Sequence, residues 1–85
     1  MDKTLLDIKK GEIVEVAGFG GGSGLGRRLE AMGIRPGKVI SRVSSQLMGG
    51  PVIVSVDGRH TAMGRGMAGK VRVIPHIRGL DKQGE

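Results

Sequence analysis

GLGRRLEAMGIRPG, residues 24–37, decides the fold, because a short amphipathic helix, its stop signal and a strand-launching turn follow one another there without a spare residue. Leu25, Leu29 and Met32 recur at steps of four and three, which sets them on one helix face, while Arg27, Arg28 and Glu30 fall largely elsewhere. Gly33 suits the left-handed conformation that ends helices, and Ile34 beyond it can fold back on Leu29, as in a Schellman-type end. Arg35-Pro36-Gly37-Lys38 then reads as a type II turn, with proline fixing φ at the second position and glycine taking a positive φ at the third. After it the hydrophobic period drops to two. Ser23 is the expected N-cap, while Gly24 and Gly26 each cost about 1 kcal/mol of helix propensity against alanine. So short a helix must be held by packing, and the flanking pattern offers a small β-barrel for it to lie on.

The 85 residues make one domain with a thin core, expected over 1–76, with 77–85 as a flexible tail. The absence of cysteine rules out a disulfide framework and thiolate metal sites. No apolar run approaches the ~18 residues of a membrane span, and MDKTLLDIKK lacks the apolar stretch of a signal peptide, so a soluble, cytoplasmic chain is expected. A formal charge of +6 directs long-range attraction toward acidic partners: nucleic acid, anionic lipid or an acidic protein face. Seventeen glycines and one aromatic residue, Phe19, point to many tight turns around an aliphatic core.

Along the chain, Thr4-Leu5-Leu6-Asp7 has the form of a capping box, so one helical turn ending by Lys10 is expected, with Leu5, Leu6 and Ile8 sealing the core. Val14 and Val16 face inward and Glu15 outward on a first strand that gives way to a mobile glycine loop over Gly18 to Gly24. A second strand is expected from Lys38 to Ser44, with Val39 and Val43 near its ends and Ser41 between, then a loop over Gln46 to Gly50. Val52, Val54 and Val56 share one face of the third strand, and Asp57-Gly58 has the type I′ preference of a two-residue hairpin leading into Arg59 to Met63. The fifth strand, Lys70 to Ile74, alternates basic and apolar residues until Pro75. The expected class is therefore all-β with short helices: a five-stranded barrel with one helix inserted after the first strand.

The chemistry-bearing motifs are weak. No glycine trio in Gly18 to Gly26 has the G-x-G-x-x-G spacing, and Gly64 to Val71 satisfies G-x-x-x-x-G-K but puts Val71 where a P-loop needs a hydroxyl. That segment reads as a turn feeding the last strand. His60, His76 and Asp57 are a poor ligand set for a closed metal site, the methionines read as core filler, and no nucleophile has its base, so neither a metal, a cofactor nor an enzyme is expected. Binding of RNA or DNA through phosphate contacts is the alternative to a protein partner, and it suffers from the lack of aromatic stacking platforms.

The ordered set of Leu5, Ile8 and Gly11, the glycine-bearing loop, RRLEAMGIRPGKVI, Gly50 to Val54, the Asp-Gly hairpin and Ala68, Val71 and Val73 resembles the FeoA family, ferrous iron transport protein A, over roughly residues 4 to 75. The resemblance implies an SH3-like barrel carrying the Arg27 to Met32 helix. It also implies an accessory protein of bacterial ferrous iron uptake, working in the cytoplasm with FeoB, a membrane transporter with its own G-protein domain that the accessory protein is a candidate to regulate. The same domain is similar to the C-terminal module of some iron-dependent repressors. Arg27, Arg28 and Arg35 surround the helix and its exit turn, where a partner's carboxylates can be gripped bidentately. They serve equally well as a solvated helix face. Gly33, Pro36, Gly37, Asp57 and Gly58 are expected to be structural turn residues.

Overall fold

A computed structural model describes residues 3–21, 24–43 and 50–76. In chain order the elements are β1 (Lys3–Thr4), a 3-10 turn (Leu5–Asp7), β2 (Ile13–Phe19), α1 (Leu25–Ala31), β3 (Val39–Arg42), β4 (Val52–Val56), β5 (Arg59–Met63), α2 (Arg65–Ala68) and β6 (Val71–Pro75). They form one antiparallel sheet ordered β1-β6-β2-β3-β4-β5, an SH3-like fold. The five expected strands are present. A sixth, β1, pairs Lys3 and Thr4 with Val73 and Arg72; two residues carry no period that a sequence could show. α1 follows the first long strand, as expected, which is the second strand in order.

The inward residues come from alternation. Val14 and Val16 of β2, Val52, Val54 and Val56 of β4, and Val71 and Val73 of β6 are almost fully buried and share one core with Leu5, Ile8, Leu29 and Ile34. In β2 the alternation changes phase. Val16 faces Val73 but Gly18 faces Arg72, so Ala17 is an extra residue, a β-bulge. Phe19 therefore stands opposite Val71 and packs against the core. Gly18 lies under Arg72: a Cβ there would come within 2.5 Å of the guanidinium, which donates to the Phe19 carbonyl at 3.3 Å. Gly18 and Phe19 thus belong to a strand, not to the expected loop, and Gly20 N–H donates to the Lys70 carbonyl at 2.7 Å.

β3 spans Val39–Arg42, within the expected Lys38 to Ser44, and turns alternate residues to the core. Ile40 and Arg42 point inward, and Val39 is 39% exposed. The turn before the strand decides this, because Gly37 N–H donates to the Val16 carbonyl and Val16 N–H to the Lys38 carbonyl, both at 2.8 Å, and Ile40 then falls opposite Val14. Apart from Gly50, the loop expected over Gln46 to Gly50 lies outside the described residues, as do Ser44 and the tail from Ile77 onward.

Arg42 is a buried charge, 6% exposed, whose guanidinium donates to the carbonyls of Leu5 (3.2 Å) and Ile8 (3.0 Å). Its backbone is tied to the same segment, with Gly11 N–H on the Arg42 carbonyl and Arg42 N–H on the Glu12 carbonyl. The expected capping box closes the other side of the turn: Leu6 N–H donates to Thr4 Oγ1 and Thr4 N–H to Asp7 Oδ2. Arg42→Met keeps the apolar stem but strands both carbonyls, and a loss of about 3 kcal/mol is expected in urea denaturation; an unchanged midpoint would show that the guanidinium is dispensable.

Candidate protein-docking site

α1 buries Leu29 completely, and Leu25 and Met32 pack against the core, leaving Arg27, Arg28, Glu30 and Ala31 exposed. Its N-cap is Gly24 (φ 98°), with no side-chain hydrogen bond; Ser23, the expected cap, lies outside the described residues. The C-terminal end is the expected Schellman motif: Ile34 N–H reaches the Leu29 carbonyl and Gly33 N–H the Glu30 carbonyl, both at 2.9 Å, with Gly33 at φ 86°. Ile34 is buried with Leu29 in the core. The turn that follows is type II, closed by Lys38 N–H on the Arg35 carbonyl at 3.0 Å with Gly37 at φ 92°.

The turn residues gather at one end of the molecule. Asp57 (φ 53°) and Gly58 (φ 82°) form the expected type I′ hairpin, and the Asp57 carboxylate meets Lys38 Nζ at 2.7 Å, joining the hairpin to the type II turn. Gly33 sits so close to β4 that a Cβ would lie 3.3 Å from Val56 Cγ1.

Beside α1 opens a cleft of about 420 Å³, walled by Arg28 and Ala31 of α1 and its C-cap Met32, Ala62 and Met63 of β5, and Gly64 and Met67 around the start of α2. Three thioethers from three elements line it, a soft surface that adapts to different apolar side chains, with one guanidinium on its wall. Of the arginines singled out by sequence, Arg28 lines this cleft; Arg27 and Arg35 are exposed but not part of its wall. Among the described residues none of the three has a carboxylate partner. Sequence reasoning missed Met67 because α2 was read as a bare turn. α2 is a single turn beginning after Gly64 and packed on the 3-10 turn, where a Cβ on Gly69 would lie 3.1 Å from Leu6 Cδ1. The helix thus precedes Gly69-Lys70, the reverse of a P-loop. His60 and His76 lie on or beside β5 and β6, which β2, β3 and β4 separate in the sheet, and among the described residues no three His, Cys, Asp or Glu side chains converge as a metal site.

The FeoA domain matches this chain over residues 3–75. The chain belongs to the FeoA family. It is 42% identical over 65 residues to a protein of Methanocaldococcus jannaschii named "Putative Fe(2+) transport protein A", covering 76% of this chain and 77% of that one. Among solved structures it resembles the crystal structure of an iron uptake regulatory protein (FeoA), with a TM-score of 0.79, 34% identity and coverage of 89% of this chain and 99% of that one. A manganese-dependent transcriptional repressor in complex with manganese shares the fold, with a TM-score of 0.80 at 18% identity over 88% of this chain and 37% of the repressor. No helix among the described residues is long and apolar enough to cross a membrane.

The helix stop that aims α1 in this FeoA-family domain is testable by one pair of substitutions. Gly33→Ala forces a Cβ into a left-handed conformation against Val56 and is expected to lower stability by about 1–2 kcal/mol. Gly66→Ala, inside α2 with open space around its Cβ, is expected to raise it by about 0.5–1 kcal/mol. Urea midpoints of equal size and sign for the two would refute the assignment.

Proposed function

We propose that this protein is a cytoplasmic accessory protein of ferrous iron uptake that docks on the membrane transporter of the system, a FeoB-type protein with its own G-protein domain, and acts by contact rather than by catalysis. Family membership supports the transport role. The observation that carries the docking reading is the exposed pair Arg27 and Arg28 on α1, with Arg35 on the turn beyond, beside an open methionine-lined cleft. Guanidinium groups with no intramolecular carboxylate among the described residues remain available for bidentate pairing across an interface, and an adaptable apolar hollow gives such an interface a desolvated centre.

Simultaneous charge reversal, Arg27→Glu with Arg28→Glu, is expected to weaken binding to the cytoplasmic part of the transporter by about 1 kcal/mol or more, roughly fivefold in Kd, with the circular dichroism spectrum and melting curve retained. Equal affinities for the native and reversed proteins in isothermal titration would discard this docking face. A shift of mixed-sequence RNA that weakens steeply with salt would instead favour phosphate binding.

A further inference from the structure

The two sheet edges are unequal. β1 offers two residues, whereas β5 offers five. Val43 N–H donates to the Ile53 carbonyl at 2.8 Å, so Ile53 and Ser55 spend their backbone groups on the β3 side and Val52, Val54 and Val56 spend theirs on β5. Across the hairpin these three face Met63, Thr61 and Arg59, and a two-residue type I′ turn closes on such a doubly bonded pair. His60 and Ala62 therefore turn their N–H and C=O groups away from β4. Both residues are exposed, and among the described residues no backbone group bonds them from that side. Ala62 and Met63 also form one wall of the methionine cleft, which places the free edge and the hollow side by side.

We infer that β5 is the docking edge for an extended, acidic and apolar segment of a protein partner, added as a further strand with an apolar side chain seated in the cleft among Met32, Met63 and Met67. This rests on the docking reading above and specifies its mode. Backbone pairing along His60 and Ala62 supplies the hydrogen bonds, and every second side chain of the added strand projects on the same side as Met63. The charge selects the occupant. Arg28, Arg59 and Arg65 flank the edge without a carboxylate partner among the described residues, and a net charge of +6 opposes a second copy of this chain.

The probe is a terminally blocked synthetic heptapeptide in which glutamate alternates with leucine, titrated into the full chain and followed by two-dimensional NMR. Expected are shifts and exchange protection of the His60 and Ala62 amides together with shifts of the Met32, Met63 and Met67 methyl groups. N-methylation of the peptide amides that face β5 should weaken binding tenfold or more. Ala62→Pro removes an N–H that β4 does not use, at a position where an edge strand tolerates proline, and should weaken the peptide and the transporter's cytoplasmic region alike by tenfold or more. Should that variant fail to fold, the N-methylated peptide on the native protein decides alone. Affinity indifferent to N-methylation, absence of the amide shifts, or peptide-independent dimerisation through β5 would overturn the proposal. Transporter binding that survives Ala62→Pro but is lost on reversal of Arg27 and Arg28 overturns strand addition and leaves the docking reading standing. Peptide addition without any transporter binding does the opposite.

Discussion

One buried guanidinium holds the lower end of the barrel together. Arg42 reaches from β3 to two buried carbonyls, that of Leu5 at the start of the 3-10 turn and that of Ile8 just past its end, where so short a turn cannot satisfy its own acceptors. A cation at 6% exposure is costly in a core this small, and it is tolerated because its donors meet fixed carbonyl dipoles while its stem fills space among aliphatic side chains. The same residue's backbone bonds to Gly11 and Glu12 lock β3 to the approach of β2. The N-terminal segment is thereby part of the core, and Leu5 and Ile8 can close it.

The opposite end is governed by turns. The Schellman stop, the type II turn and the type I′ hairpin each demand a positive φ, met by Gly33, Gly37, Asp57 and Gly58. Register passes through backbone bonds between Gly37, Lys38 and Val16. The Lys38–Asp57 ion pair links the two turns, but its carboxylate is 57% exposed and screening leaves it a minor contributor. With α1 pinned by Leu29 and Ile34, the basic surface and the cleft beside it have a fixed geometry.

Most of this architecture is legible in the sequence wherever local chemistry decides it: the capping box, the helix stop, both turns and the valine alternation of β2, β4 and β6. What is not legible depends on partners distant in the chain. The facing of β3 is set by its anchorage to β2, so Arg42 looks like any surface arginine until Leu5 and Ile8 lie beneath it. α2 is four residues long, contains a glycine and has no side-chain cap, so nothing local announces it. The arginines of α1 were visible as exposed charge, but the cleft is assembled from α1, β5 and α2 and has no linear signature.

The bulge at Ala17 divides β2 into one position that is free to vary in number and paired positions that are not. Removing that one residue would restore strict alternation and leave Gly18 opposite Arg72 and Phe19 opposite Val71, whereas losing a residue after it would slip the end of the strand against β6 and deprive the Arg72 guanidinium of its bed. Gly20 makes the last backbone bond to Lys70, and Gly24 opens α1 by accepting from the Arg28 N–H. Length variation among relatives of this domain should accumulate between these two fixed points, Gly20 and Gly24, and stop at the strand on one side and the helix on the other.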